Sequence, residues 1–177
     1  MSVFINVWGP NQELIIKYSG LMDMNSLYKK IISFFKKRGF ETHESSFKDK
    51  NYATGKEEEI KVGAFRNDTE MWRTWFNIYI HTWNMVPVEV AVDGKKKTVD
   101  KGRFKITIRM QFEVDYESKF EKSKFFMALR DFYLKYIIFH KLNAYGDKVE
   151  YEGHKLQEMI KQELGMKAAG DQFADMY

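Results

Sequence analysis

Between Phe104 and Tyr116 the chain alternates without a lapse. Phe104, Ile106, Ile108, Met110, Phe112, Val114 and Tyr116 are apolar or aromatic, and the residues between them are polar or charged. Side chains on a strand point alternately to opposite faces, so this stretch predicts a strand with one buried face and one wet face. Such a strand calls for an antiparallel sheet covered on one side. Its sequel is helical. Ser118-Lys119-Phe120-Glu121 has the spacing of a capping box, Ser123 is a second candidate N-cap, and Phe125, Phe126, Leu129, Phe132, Tyr133, Tyr136, Ile137 and Phe139 then recur at helical intervals.

The remaining elements can be read around this strand. Val3, Ile5 and Val7 alternate, as do Leu14, Ile16 and Tyr18, and Gly9-Pro10-Asn11 between them predicts an N-terminal hairpin. Asn25 or Ser26 can cap a helix carrying Leu27, Tyr28, Ile31, Ile32, Phe34 and Phe35, which Gly39 ends. Phe40–Lys50 has almost nothing to bury and suits an edge strand, with a loop over Asn51–Lys56. Glu59–Arg66 reads as a further strand. Met71–Val92 is the most apolar part of the chain; Pro87 divides it into two strands, and Asp93-Gly94, lengthened by Lys95-Lys96-Lys97, turns the chain back. After a kink or a break at Asn143–Gly146, a second C-terminal helical stripe carries Tyr145, Val149, Leu156, Met159, Ile160 and Leu164. Gly146 and Gly153 weaken it by about 1 kcal/mol each relative to Ala, and also permit close packing against a neighbour.

These elements predict a single α+β domain over residues 1–165, with a loose tail over 166–177. About six antiparallel strands carry one helix after the N-terminal hairpin and long C-terminal helices on one face. The chain has no cysteine, which excludes disulfides and thiolate metal sites and fits a cytoplasmic location. No apolar run approaches the roughly 20 residues of a membrane span. With 29 basic and 25 acidic residues, the net charge of +4 is too small to argue for nucleic acid by itself.

No constellation names a reaction, so the expectation leans away from an enzyme, and no cofactor or metal is called for. Glu150, His154 and Glu158 stand at i, i+4, i+8, but a solvated helix face explains them better than a metal line. Glu113, Asp115 and Glu117 share a strand face with Arg109 and Lys105, which reads as a charged exterior. The basic clusters Lys36-Lys37-Arg38 and Lys95-Lys96-Lys97 could hold a phosphate backbone, a reading that is not favoured here.

The aromatic surplus is the most informative feature. Trp72, Trp75, Phe76, Tyr79 and Trp83 exceed what one strand face can bury. They can be sandwiched within the domain, form a subunit interface, or line an apolar cavity. The favoured function is a non-catalytic binding or assembly module that self-associates through these residues and through Phe132 and Tyr136 of the C-terminal helix. A homo-oligomer is therefore expected.

The order of strands, helix, antiparallel meander and long C-terminal helix resembles the helix-grip arrangement of Bet v 1 and START-type domains, up to about Leu142. That resemblance implies a curved sheet around a long helix and, as the alternative function, carriage of an apolar small molecule or lipid; RNA binding through the basic clusters comes third. Asp115-Tyr116-Glu117 through Lys122-Ser123, with Leu129-Arg130-Asp131-Phe132-Tyr133 and Lys135-Tyr136-Ile137, is similar to small uncharacterised archaeal proteins, which implies no activity.

Overall fold

Six antiparallel strands and three helices make up the α+β fold of this computed structural model, which describes residues 2–7, 13–92, 95–120 and 123–166. The strands are β1 (Val3–Asn6), β2 (Leu14–Met22), β3 (Glu41–Tyr52), β4 (Gly55–Asn67), β5 (Trp72–Val92) and β6 (Lys95–Val114). The helices are α1 (Met24–Lys36), α2 (Lys124–Tyr133) and α3 (Phe139–Glu163), with a π turn over Leu134–Ile138 joining α2 to α3. The sheet runs β1-β6-β5-β4-β3, and β2 also pairs with β6.

The alternating stretch lies within the longest ladder. Phe104, Ile106, Ile108, Met110, Phe112 and Val114 are all buried on the helix side, and Ile60, Val62, Phe76, Ile78 and Ile80 extend the same apolar layer across β4 and β5. Leu27, Ile31, Phe34 and Phe35 of α1 and Leu142, Val149, Leu156 and Ile160 of α3 close over it. Edge-on rings of Phe35, Phe40 and Phe76 fill the space beneath α1. The edge position expected for the polar strand is that of β3, which pairs with β4 alone.

Several expectations are corrected. The N-terminal strands form no hairpin: β1 pairs with Gln111–Val114 and β2 with Asp100–Ile108, so they lie end to end along one edge of β6. A 20-residue β6 is long enough to template both. Gly9-Pro10-Asn11 lies outside the described residues. Asp23 caps α1, its carboxylate accepting from the Ser26 N–H at 2.9 Å, so the cap falls two or three residues earlier than expected. Gly39 does end that helix: with φ 76°, it lets the Phe40 N–H reach back to the Phe35 carbonyl.

The loop expected over Asn51–Lys56 is a tight turn between β3 and β4. Pro87 does not divide the aromatic stretch. β5 is a single strand with an irregularity between Trp83 and Val86, where Asn84 adopts φ 53°. Past Met85 it has no β4 neighbour, so proline sits where only β6 pairs. Asp93-Gly94 lies outside the described residues, but Lys95–Lys97 pair with Val90–Val92 instead of lengthening a loop.

At the C-terminal side, Ser118 lies in a turn at φ 54° and heads no helix; Ser123 caps α2, accepting from Phe126 at 3.3 Å. Glu121 lies outside the described residues, as does the tail beyond Met166. No break occurs at Asn143–Gly146. Helical structure runs on through Gly146 and Gly153, which face the sheet: a Cβ on Gly146 would stand 3.6 Å from Val7, and one on Gly153 would overlap the Met110 sulfur. At Gly153 the intrinsic cost of glycine is offset by this close approach, whereas Gly146 has room for a methyl.

A buried polar hub fixes α3 to the sheet. The Asp68 carboxylate accepts from Arg66 Nε at 2.8 Å, from Tyr145 at 3.2 Å and from the Thr74 hydroxyl. Arg66 also reaches both oxygens of Glu152 at 3.2 and 3.3 Å and lies over the Phe40 ring.

Candidate functional site

The aromatic residues of β5 divide between two environments. Phe76 is wholly buried in the core beneath α1, and Trp72 packs edge-on against Tyr145 of α3. Trp75, Tyr79 and Trp83 alternate onto the opposite face, where no described helix or strand lies over them, yet each is only partly exposed. In-plane neighbours account for that. Trp75 packs on Phe65 at 5.0 Å and His43 at 5.6 Å, and its indole N–H donates to Glu113 at 2.7 Å. Lys61 lies over Tyr79, and Trp83 stacks on His81 with centroids 3.9 Å apart. The apolar excess is thus shielded sideways by polar and charged side chains on the sheet's open face.

His81 lies among these rings. Its cross-strand partner is Glu59, with Glu57 two residues before on the same face of β4. The imidazole Nε2 stands 2.6 Å from Glu57 Oε1, and Nδ1 stands 3.5 Å from the Tyr79 hydroxyl. One ligand-capable atom from each of Glu57, Glu59 and His81 lies within 4.8 Å of the other two. Burial, and then the charges of Glu59 and Glu57, hold the Tyr79 phenol above its usual range. Sequence reading missed this group because the histidine stands 22 and 24 residues from the two glutamates; the only signal was Glu57-x-Glu59 on a strand, and the β4–β5 register supplies the histidine.

The second aromatic surface lies on α2 and the π turn. Phe125, Phe126, Leu129, Phe132, Tyr136 and Ile137 are all exposed there, Phe125 to 72%, Tyr136 to 59% and Phe132 to 55%. They spiral along one side of the helix, while Ile138 turns into the core. Arg130 faces inward, within 3.8 Å of buried Asp115, which also accepts from the Lys119 and Phe120 N–H groups. Asp115 therefore does not share the strand face of Glu113; its φ of 57° takes it into the turn that launches α2.

The other sequence candidates remain apart. Lys36, Lys37 and Arg38 end α1, with Arg38 over the Phe34 ring, whereas Lys97 pairs with Asp23 at the opposite end of that helix and Lys96 with Glu89. Thirteen helical residues put these basic groups about 20 Å apart, so they form no single patch. The side chain of Lys95 lies outside the described residues. Glu150 pairs with His154 at 3.6 Å, while Glu158 accepts from Gln162, so the helical line does not converge. An opening of about 390 Å³ lies among Leu21, Leu27, Val90, Val99 and Leu164, beside the Asp23–Lys97 pair. Among the described residues, no helix is long and apolar enough to cross a membrane. No family model, curated protein or solved structure matches the chain.

Proposed function

We propose that the protein is an assembly module whose α2–π-turn surface pairs with the same surface of a second copy. The observation that carries this reading is the row of six large apolar side chains on one helical side, left in water by a fold that buries its other apolar helix faces. At ~200 Å² for a large side chain, their exposed parts sum to on the order of 600 Å². That is at the upper end of what a monomer exposes, and pairing two such surfaces removes about 1,200 Å², the lower limit of a specific interface.

Charge favours a particular arrangement. An antiparallel crossing near Tyr133 sets Leu129 of one copy opposite Ile137 of the other, and places Asp131 beside Lys135. Asp131 and Lys135 are both exposed, and Asp131, which accepts from Arg130 of its own chain at 2.9 Å, keeps its second carboxylate oxygen for the lysine. The pair occurs twice in a two-fold contact, as self-complementarity requires. Hydrophobic contact supplies the affinity and the charges set register.

The test is a charge exchange read by sedimentation velocity. Asp131→Lys sets lysine against lysine and weakens association, as Lys135→Asp does with two acids. The double variant restores it. Unchanged association in both single variants overturns the arrangement. Flotation with phosphatidylcholine–phosphatidylserine vesicles, with the chain remaining monomeric in buffer, assigns the same surface to a lipid interface instead.

A carrier of a small molecule with an apolar body is the second reading, favoured by the 390 Å³ opening, whose apolar residues stand beside Asp23, Lys97 and Glu163. It is the function that the helix-grip resemblance implies. A co-purified ligand in native mass spectrometry supports it.

A further inference from the structure

We propose that Glu57, Glu59 and His81 form a divalent-cation site on the open face of the sheet, with the ligand set that suits Zn²⁺. Two carboxylates and one imidazole are brought together by strand register alone: Glu59 stands across from His81, and Glu57 projects from the same face. Their ligand atoms lie within 4.8 Å of one another. Ligands about 2.1 Å from a tetrahedral zinc ion are ~3.4 Å apart, so rotation of the glutamate side chains closes the site without moving a strand.

The support behind the histidine is of the kind that ligating imidazoles need. Nε2 is aimed at the carboxylates, Nδ1 faces the Tyr79 hydroxyl at 3.5 Å, and the Trp83 ring lies against the imidazole face. A cation at this position takes the place of the Nε2 proton now shared with Glu57, leaving Nδ1–H to face the Tyr79 oxygen, while the stacked ring limits rotation. The side chains of His81 and Glu57 are 18% and 21% exposed, dry enough to strengthen the attraction for a cation and open enough for it to enter. Three protein ligands leave a fourth position toward solvent, beside Trp83.

The competing account is a plain His81–Glu57 hydrogen bond, which needs neither Glu59 nor a metal. Lys61 and Lys105 also flank the group in register, and Lys61 is directed over Tyr79. Neither account depends on dimerisation through α2.

Titrate the untagged full chain with Zn²⁺ by calorimetry, and with Co²⁺ by visible absorption. The site predicts saturable binding of one ion per chain and a Co²⁺ spectrum of low coordination number. His81→Ala, Glu57→Gln and Glu59→Gln each weaken binding at least about tenfold, and Tyr79→Phe weakens it less. The Glu150→Gln, His154→Ala double variant, which removes the exposed pair on α3, leaves binding unchanged. Absence of one-to-one binding in the wild-type chain overturns the proposal, as does loss of binding in the α3 variant with retention in His81→Ala. If a ligand variant fails to fold, the ¹H–¹⁵N shifts of the His81 imidazole in wild type decide the matter: a Zn²⁺-dependent change at Nε2 supports the site, and none overturns it.

Discussion

Removing Asp68 is the sharpest test of how the helical layer is held. Its side chain is 2% exposed and accepts from Arg66, Thr74 and Tyr145 at once. In Asp68→Ala, Arg66 retains Glu152 and the Arg38 carbonyl but loses its shortest charge-assisted bond, and the buried Thr74 and half-buried Tyr145 hydroxyls lose an acceptor. Breaking a buried pair from one side costs about 3–5 kcal/mol. Because Glu152 still compensates the guanidinium, the expected loss is near ~3 kcal/mol, or roughly 6–12 °C in Tm for a domain of this size. Urea unfolding followed by tryptophan fluorescence measures it, with Trp72 beside Tyr145 as a reporter at the hub. Glu89→Ala removes an exposed ion pair with Lys96 and is the control, expected to change stability by less than about 0.5 kcal/mol. A loss below about 1 kcal/mol for Asp68→Ala refutes the idea that this hub pins α3 to the sheet.

Other outcomes follow from local geometry. Gly146→Ala places its methyl at ordinary contact distance from Val7 and gains up to about 1 kcal/mol of helix propensity, whereas Gly153→Ala meets Met110 in the core and loses that gain; thermal melts of the two variants separate them. The Lys97 ammonium, and then the Ser26 N–H, hold the Asp23 carboxyl below its usual range. A depressed folded-state pKa stabilises the fold above the unfolded value of about 3.9 and ceases to do so as pH falls through the folded value. The stability deficit of Asp23→Ala is therefore full at neutral pH and shrinks below about pH 4, as denaturation midpoints across that range measure. Phe125→Ser and Phe132→Ser remove exposed rings, so they leave monomer stability within about 0.5 kcal/mol while weakening self-association.

Elements defined by local periodicity were legible in the sequence, and those defined by long-range pairing were not. The alternation from Phe104 to Val114 identifies β6 and its buried face, because a period of two has one structural meaning there. The Leu27–Phe35 stripe and Gly39 locate α1 and its end for a similar reason. Pro87 misleads: a proline is incompatible with a central strand, but whether a strand is central depends on where β4 begins, and that is fixed far away at Gly55. Likewise Gly153 is a weak helix residue until Met110 is seen against it. The exposed Phe125–Ile137 stripe was visible as apolar periodicity, which cannot distinguish a face turned to the core from one turned to solvent. The placement of Arg130 against Asp115 and the packing of Tyr133 on the core show which side of α2 is inward.

Self-association through α2 is the central claim, and sedimentation equilibrium of the untagged full chain tests it most directly. Measured from micromolar to hundreds of micromolar, the wild-type chain should approach twice its 21.2 kDa mass, while Phe132→Ser holds near a single mass over the same range. A wild-type chain that stays monomeric throughout, or a dimer that Phe132→Ser leaves intact, contradicts the account.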